Sequence, residues 1–206
     1  MGQIEVICGP MFSGKTEELI RRLKRAAIAR RKVQVFKPRL DTRYDPEAVV
    51  SHSQQRILST VVTRASEVLE KLVQDVEVVG IDEVQFLGRE IVPVVKDLAN
   101  RGLRVVVAGL DQDFRGQPFE PMPELLAEAE YITKELAICV VCGQPANRSQ
   151  RLAPTGAAGS AEPPPAGQVH VGAGDAYEPR CRKDFSPEPR PATTPFYQEL
   201  LPFLRD

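Results

Sequence analysis

Gly9-Pro10-Met11-Phe12-Ser13-Gly14-Lys15-Thr16 is a complete G-x-x-x-x-G-K-[ST] string, and it begins where an apolar run, Gln3 to Cys8, ends. A strand entering this loop and a helix leaving it gather backbone N–H groups and the positive end of a helix dipole around one small volume, which suits phosphate. The glycines permit the tight curl, Lys15 reaches toward β- and γ-phosphates, and the Thr16 hydroxyl suits Mg2+. By chance the string arises in about one chain in a hundred of this length, before the strand and helix around it are required. A nucleoside triphosphate site is therefore the first expectation.

The rest of the first 137 residues supports that context. Thr16 to Arg31 predicts a helix: Leu19, Leu23, Ala26 and Ala27 fall at helical spacing, and Glu18 stands four residues before Arg22, as on a solvated face. Lys32 to Phe36 is a short β-rich run ended by Pro38, Asp41 to Pro46 has turn chemistry, and Ile57 to Val62 is a further candidate strand. Ala65 to Val73 and Gly88 to Asn100 read as helices, while Val76 to Ile81 and Leu103 to Ala108 are nearly continuous apolar runs that suit strands buried on both faces. Such alternation predicts an α/β fold, a P-loop core with a largely parallel sheet over residues 1–137. A small zinc-ribbon-like unit follows over 138–185, with a low-complexity stretch from Ala153 to Gly167 that cannot pack a core, and then a proline-rich tail, 186–206, with no function assigned. Within that tail Phe196 to Leu204 has the pattern of a short amphipathic piece.

The second chemical feature is Asp82-Glu83, at the end of the apolar run Val78 to Ile81. The carboxyl end of a parallel strand is where open α/β sheets bind ligands. Behind a P-loop, Asp82 suits Mg2+ and Glu83 suits a proton acceptor for the attacking oxygen. The plainer reading, an acidic pair that only ends a strand and caps a helix, is weaker given the loop upstream. Whether the attacking oxygen belongs to water or to a substrate hydroxyl is left open by these residues.

Composition narrows the partners. Lys plus Arg (27) nearly balance Asp plus Glu (28), giving a net charge of −1, so no global field favours nucleic acid or an anionic membrane. Apolar runs are far too short to span a bilayer, and the start has no signal-peptide pattern, so the expected location is the cytoplasm, where four cysteines suit thiols or metal ligands better than disulfides. Cys8, against the P-loop, is expected in the core, and His52 is left as an exposed loop residue.

Taken together, G-P-M-F-S-G-K-T at 9–16, D-T-R-Y at 41–44, I-D-E-V-Q-F at 81–86, L-D-Q-D-F-R-G-Q-P-F at 110–119, the pair Cys139/Cys142 and Y-E-P-R-C-R-K at 177–183 resemble the cytosolic-class (type II) thymidine kinases. The resemblance covers residues 2 to about 184 in order. It implies transfer of the γ-phosphoryl of ATP to the 5′-hydroxyl of thymidine or deoxyuridine in deoxynucleotide salvage, with Glu83 as general base. It implies ATP contacts from Gly9 through Thr16, Arg43, Asp82 and Gln85, with Mg2+ at Thr16 and Asp82. The thymidine pocket would be lined by Met11, Phe86, Leu110, Phe114 and Phe119. The base would be read largely by backbone groups of a loop, the lasso, with Val169, Val171, Gly172 and Tyr177 as closing residues. Without the resemblance, Arg43 would read as a solvated loop charge and at least two of the aromatics as core. Feedback inhibition by thymidine triphosphate (dTTP) and a homotetramer are further implications.

Cys139, Cys142 and Cys181 match the family's structural zinc site, but the fourth place, Cys or His in the family, is Asp184 here. Carboxylate is a harder ligand than thiolate, so Asp184, His170 and water are all open for that position. The competing function is a P-loop ATPase with a nucleic-acid-binding zinc ribbon, disfavoured by near-neutral charge and few aromatics.

Overall fold

A computed structural model describes residues 2–39, 48–50, 56–153 and 176–193. In chain order it forms β1 (Gln3–Cys8), α1 (Lys15–Ile28), β2 (Val33–Pro38), β3 (Ala48–Val50), β4 (Arg56–Leu58), β5 (Thr60–Val62), α2 (Ser66–Glu70) and β6 (Val78–Ile81). A 3-10 turn (Val84–Leu87), α3 (Ile91–Asn100), β7 (Arg104–Gly109), α4 (Met122–Glu128) and β8 (Tyr131–Lys134) follow. The last strands are β9 (Ala137–Ile138), β10 (Pro145–Ala146), β11 (Arg148–Arg151) and β12 (Tyr177–Arg180).

One sheet of six strands, in the order β5-β2-β6-β7-β1-β8, is the frame, and every pairing in it is parallel. Alternation along each strand divides the core into two layers. Ile7 of β1 with Val106 and Ala108 of β7 face α1, meeting Leu19, Ile20 and Leu23. Val6, Val105 and Val107 point the other way, into a layer closed by α2, α3 and α4 through Val68, Val95, Leu98, Met122 and Leu125. Strands flanked by helices on both sides must be apolar at consecutive positions, which is why β6 and β7 lack polar alternation. Gly80 lets α1 approach: a Cβ there would sit 2.5 Å from Leu23 Cδ1.

Several expectations change in detail. The run Ile57 to Val62 is two strands: β4 pairs antiparallel with β3, and β5 joins the main sheet beside β2. Pro38 lies inside the end of β2, pairing with Val62, instead of ending the strand before it. Glu18 and Arg22 do bond, at 2.7 Å, but the pair is not on a solvated face. Arg22 also reaches Glu5 at 2.8 Å and Thr133 at 2.7 Å, so the pair belongs to a half-buried network in which β1 contributes the central acid. Among the described residues no helix is long and apolar enough to cross a membrane.

Candidate active site

The carboxyl ends of β1, β6 and β7 meet at one edge, with β7 between the other two. After β1 the chain turns through Gly9 at φ 146°, Phe12 at φ 64° and Gly14 at φ 83° before α1 starts at Lys15. At Gly9 no side chain fits, since a Cβ would lie 2.2 Å from the Glu135 carbonyl oxygen. Ser13 Oγ and Lys15 Nζ both donate to the Pro10 carbonyl, at 2.9 and 2.5 Å, and close the loop on itself. Burial pushes the Lys15 ammonium below its ordinary range, against the charges of Glu83, Asp82 and Asp111.

Across from the loop, Thr16 Oγ1 donates to Asp82 Oδ2 at 3.2 Å. Burial, then the neighbouring Glu83 charge, pushes the Asp82 carboxyl up to about 7. Two adjacent carboxyls, one of them buried beside a hydroxyl, form a hard oxygen donor set, which fits Mg2+. Glu83 takes φ 50° and ψ 40°, a conformation rarely adopted outside glycine, and so turns sharply out of the strand. Its Oε2 accepts from Gln85 Nε2 at 2.5 Å, while Gln85 Oε1 accepts from the Leu110 N–H at 3.1 Å.

Beyond this edge lies a small cleft lined by Met11, Leu110, Phe114, Phe119 and Tyr177, drawn from three separate stretches of the chain. Phe86 stands edge-on to Phe119, with ring centroids 6.1 Å apart. Arg43 and the D-T-R-Y segment, His52, Val169, His170, Val171, Gly172 and the tail beyond 193 lie outside the described residues.

Sequence reasoning passed over Ser149, Gln112 and Asp111. Ser149 Oγ accepts from the Met11 N–H at 3.0 Å, joining β11 to the P-loop, and both Ser149 and Gln112 line the cleft. Asp111 is buried and pairs with Lys134 at 2.6 Å, across the strand that feeds the P-loop. The only signal for Ser149 was the alternation in Arg148-Ser149-Gln150-Arg151, too short to read as a strand without its partner β12.

Cys139, Cys142, Cys181 and Asp184 do converge, with their ligand atoms all within 4.8 Å of one another. Asp184 Oδ2 is 3.3 Å from Cys139 Sγ and 3.2 Å from Cys181 Sγ, and the Cys142 and Cys181 sulfurs are 3.7 Å apart. Thiolates about 2.3 Å from a tetrahedral zinc stand roughly 3.8 Å from each other, so this donor set fits zinc, and the spacing is far too long for a disulfide. Cys8 is buried, as expected, and burial followed by the Asp111 charge pushes its thiol up to about 11.

This loop at the end of an inner strand of a parallel sheet, with an acidic strand end two places away, defines the P-loop class of nucleotide-binding α/β proteins. Within that class the thymidine kinase family model matches residues 2–185. The chain belongs to the thymidine kinase family, and it is accordingly a phosphotransferase that acts on thymidine. It is 56% identical over 194 residues to a thymidine kinase of Rhodothermus sp. (strain ITI 518), covering 94% of this chain and 85% of that one. It is 55% identical over 187 residues to a thymidine kinase of Bdellovibrio bacteriovorus, covering 91% of this chain and 87% of that one. Among solved structures it is distantly similar to the Legionella pneumophila ATPase DotB, at 16% identity and a TM-score of 0.43, over 70% of this chain and 43% of that one.

Proposed function

We propose that the phosphoryl donor is ATP, that the acceptor is the 5′-hydroxyl of thymidine and also of deoxyuridine, and that Glu83 is the general base. The observation that carries this reading is the bridge from Glu83 through Gln85 to the Leu110 N–H, which joins the carboxylate to the wall of the apolar cleft. A nucleoside seated between Leu110, Phe114, Phe119 and Tyr177 presents its hydroxyl toward Glu83. The 5′-oxygen attacks the γ-phosphorus as its proton passes to Glu83, the bond from that phosphorus to the β,γ-bridging oxygen breaks, and ADP leaves. Gly9 to Thr16 cradle the phosphates, Lys15 neutralises charge on the transferring group, and Arg43 adds a second positive charge.

Thr16 and Asp82 are the residues that would hold Mg2+, which when bound supplies charge neutralisation on the phosphates. Zinc at Cys139, Cys142, Cys181 and Asp184 would supply no chemistry to the transfer and would tie the start of the lasso to its end. We assign Gln85 to positioning Glu83 instead of contacting ATP, because its amide is committed to Glu83 and Leu110. Val169, Val171, Gly172 and Tyr177 close over the nucleoside and exclude water. Residues 1–137 form the nucleotide core and 138–185 the substrate-closing unit. A cytoplasmic homotetramer in deoxynucleotide salvage, inhibited by dTTP, completes the reading.

The test is a matrix of donors and acceptors: purified protein with ATP or GTP against thymidine, deoxyuridine and deoxycytidine, with monophosphates separated by chromatography. Thymidine and deoxyuridine monophosphates formed from ATP support the reading, and a strict demand for another donor overturns its ATP assignment.

A further inference from the structure

The proline-rich segment after the metal cluster is fastened to β11 over most of its described length. Prolines at 187, 189 and 191 have no N–H to offer, and the segment's backbone donors toward β11 and β12 are Ser186, Arg190 and Thr193. Ser186 N donates to Gln150 Oε1 at 2.8 Å, and Arg190 N donates to the Arg151 carbonyl at 3.1 Å. In return, Gln150 Nε2 donates to the Glu188 carbonyl at 2.9 Å and Ala153 N to the Arg190 carbonyl at 2.7 Å. At the far end, Thr193 N donates to Glu178 Oε2 at 3.1 Å and Thr193 Oγ1 accepts from Arg180 at 2.6 Å, on the partner strand β12. Gln150 is fully buried, so this amide has exchanged water for the segment's backbone.

Side chains alternate along a strand, so Gln150 and its neighbours Ser149 and Arg151 serve opposite faces of β11. On the face away from the segment, Ser149 accepts from the Met11 N–H of the P-loop and lines the cleft, and the Arg151 guanidinium lies 5.2 Å from the centre of the Phe114 ring. The segment thus backs a strand that touches both the phosphate loop and the nucleoside cleft. Regular proline restricts the free chain, so holding the segment in place costs less conformational entropy than holding an ordinary tail.

We propose that residues Ser186 to Thr193 act as a strap that sets β11 for nucleoside binding, with Gln150 as the positioning residue that receives it. This rests on the cleft being the thymidine site. Loosening the strap lets Ser149 and Arg151 drift relative to Met11 and Phe114, so the loss falls on thymidine affinity more than on ATP affinity.

The test uses full-length Gln150→Leu and a second, milder variant in which Pro187, Pro189 and Pro191 are replaced by glycine, which keeps Gln150 and frees the strap. Steady-state KM for thymidine is expected to rise several-fold, about threefold to tenfold for the loss of one or two buried hydrogen bonds, with KM for ATP within about twofold of the parent. Phe114→Ala serves as the control for the cleft itself. If Phe114→Ala raises the thymidine KM while both strap variants leave it unchanged, the strap has no positioning role and the proposal is overturned. Equal rises in both KM values also overturn it, because they mark general destabilisation. If Phe114→Ala leaves the thymidine KM unchanged, the cleft reading fails and takes the strap proposal with it.

Discussion

Gln85 holds Glu83 by its amide nitrogen at 2.5 Å, and with its amide oxygen it takes the Leu110 N–H at 3.1 Å. A single buried side chain therefore fixes the carboxylate relative to the cleft wall. Gln85→Leu is expected to lower kcat for thymidine phosphorylation about tenfold, the cost of a hydrogen bond to a charged group, with a smaller change in the KM for ATP. Gly109→Ala should act in the same direction, since its Cβ would meet Gln85 Oε1 at 2.6 Å. Unchanged kcat in both variants would remove Gln85 from the machinery.

A second prediction concerns pH and stability. Burial raises the Glu5 carboxyl, but hydrogen bonds from Arg104, Gln3 and Arg22 outweigh it and hold the carboxyl below the ordinary carboxylate range. With the folded value lowered, this stabilisation is complete above the ordinary range and is lost as pH falls through the folded value. Glu5→Gln should destabilise the protein by roughly 2–3 kcal/mol at pH 7, at the low end for a broken buried pair because Arg104 is partly exposed. Urea unfolding should show that difference shrinking as pH falls below 4.5. A difference that stays constant with pH would contradict it.

Metal analysis tests the cysteine cluster. The protein as purified is expected to carry one zinc per chain, with the content reduced in Cys142→Ser. Asp184→Cys should slow zinc loss to a chelator and Asp184→Ala should hasten it, because a thiolate suits zinc better than a carboxylate and an absent ligand suits it least. Equal release rates in all three would exclude Asp184 from the ligand set.

Gly80→Ala is expected to cost about 1–3 kcal/mol of stability, the usual penalty for overpacking, because the new methyl lands on Leu23. Thermal unfolding reads the loss. Both KM values should stay unchanged, since α1 gives way on its core side.

Much of this was legible because it is local. Lys15 and Thr16 announce themselves by spacing, and Asp82 by its place after an apolar strand. Cys139, Cys142 and Cys181 stand together, and the structure brings Asp184 to the fourth position, which the sequence left open among Asp184, His170 and water. What escaped depends on pairing across the chain. Strand β8 exposes Tyr131 and Ile132 at the sheet edge and so lacks the apolar run that marked β6 and β7. Helix α4 is only 7 residues long, too short for periodicity to show. Arg22 read as a surface charge because its acid, Glu5, is 17 positions away on β1. Nothing in the sequence paired Gln150 with the proline-rich segment, since the contact joins a side chain to backbone groups 36 and 38 positions away.

The most direct measurement is the rate of thymidine monophosphate formation from Mg-ATP and thymidine by the parent and by Glu83→Ala, with binding of both substrates measured alongside. Robust turnover by the parent, a loss of about a hundredfold to ten-thousandfold in kcat for the variant, and near-parental binding of both substrates are the predicted results. A Glu83→Ala variant that turns over within a few-fold of the parent would contradict the assignment of Glu83 as the base.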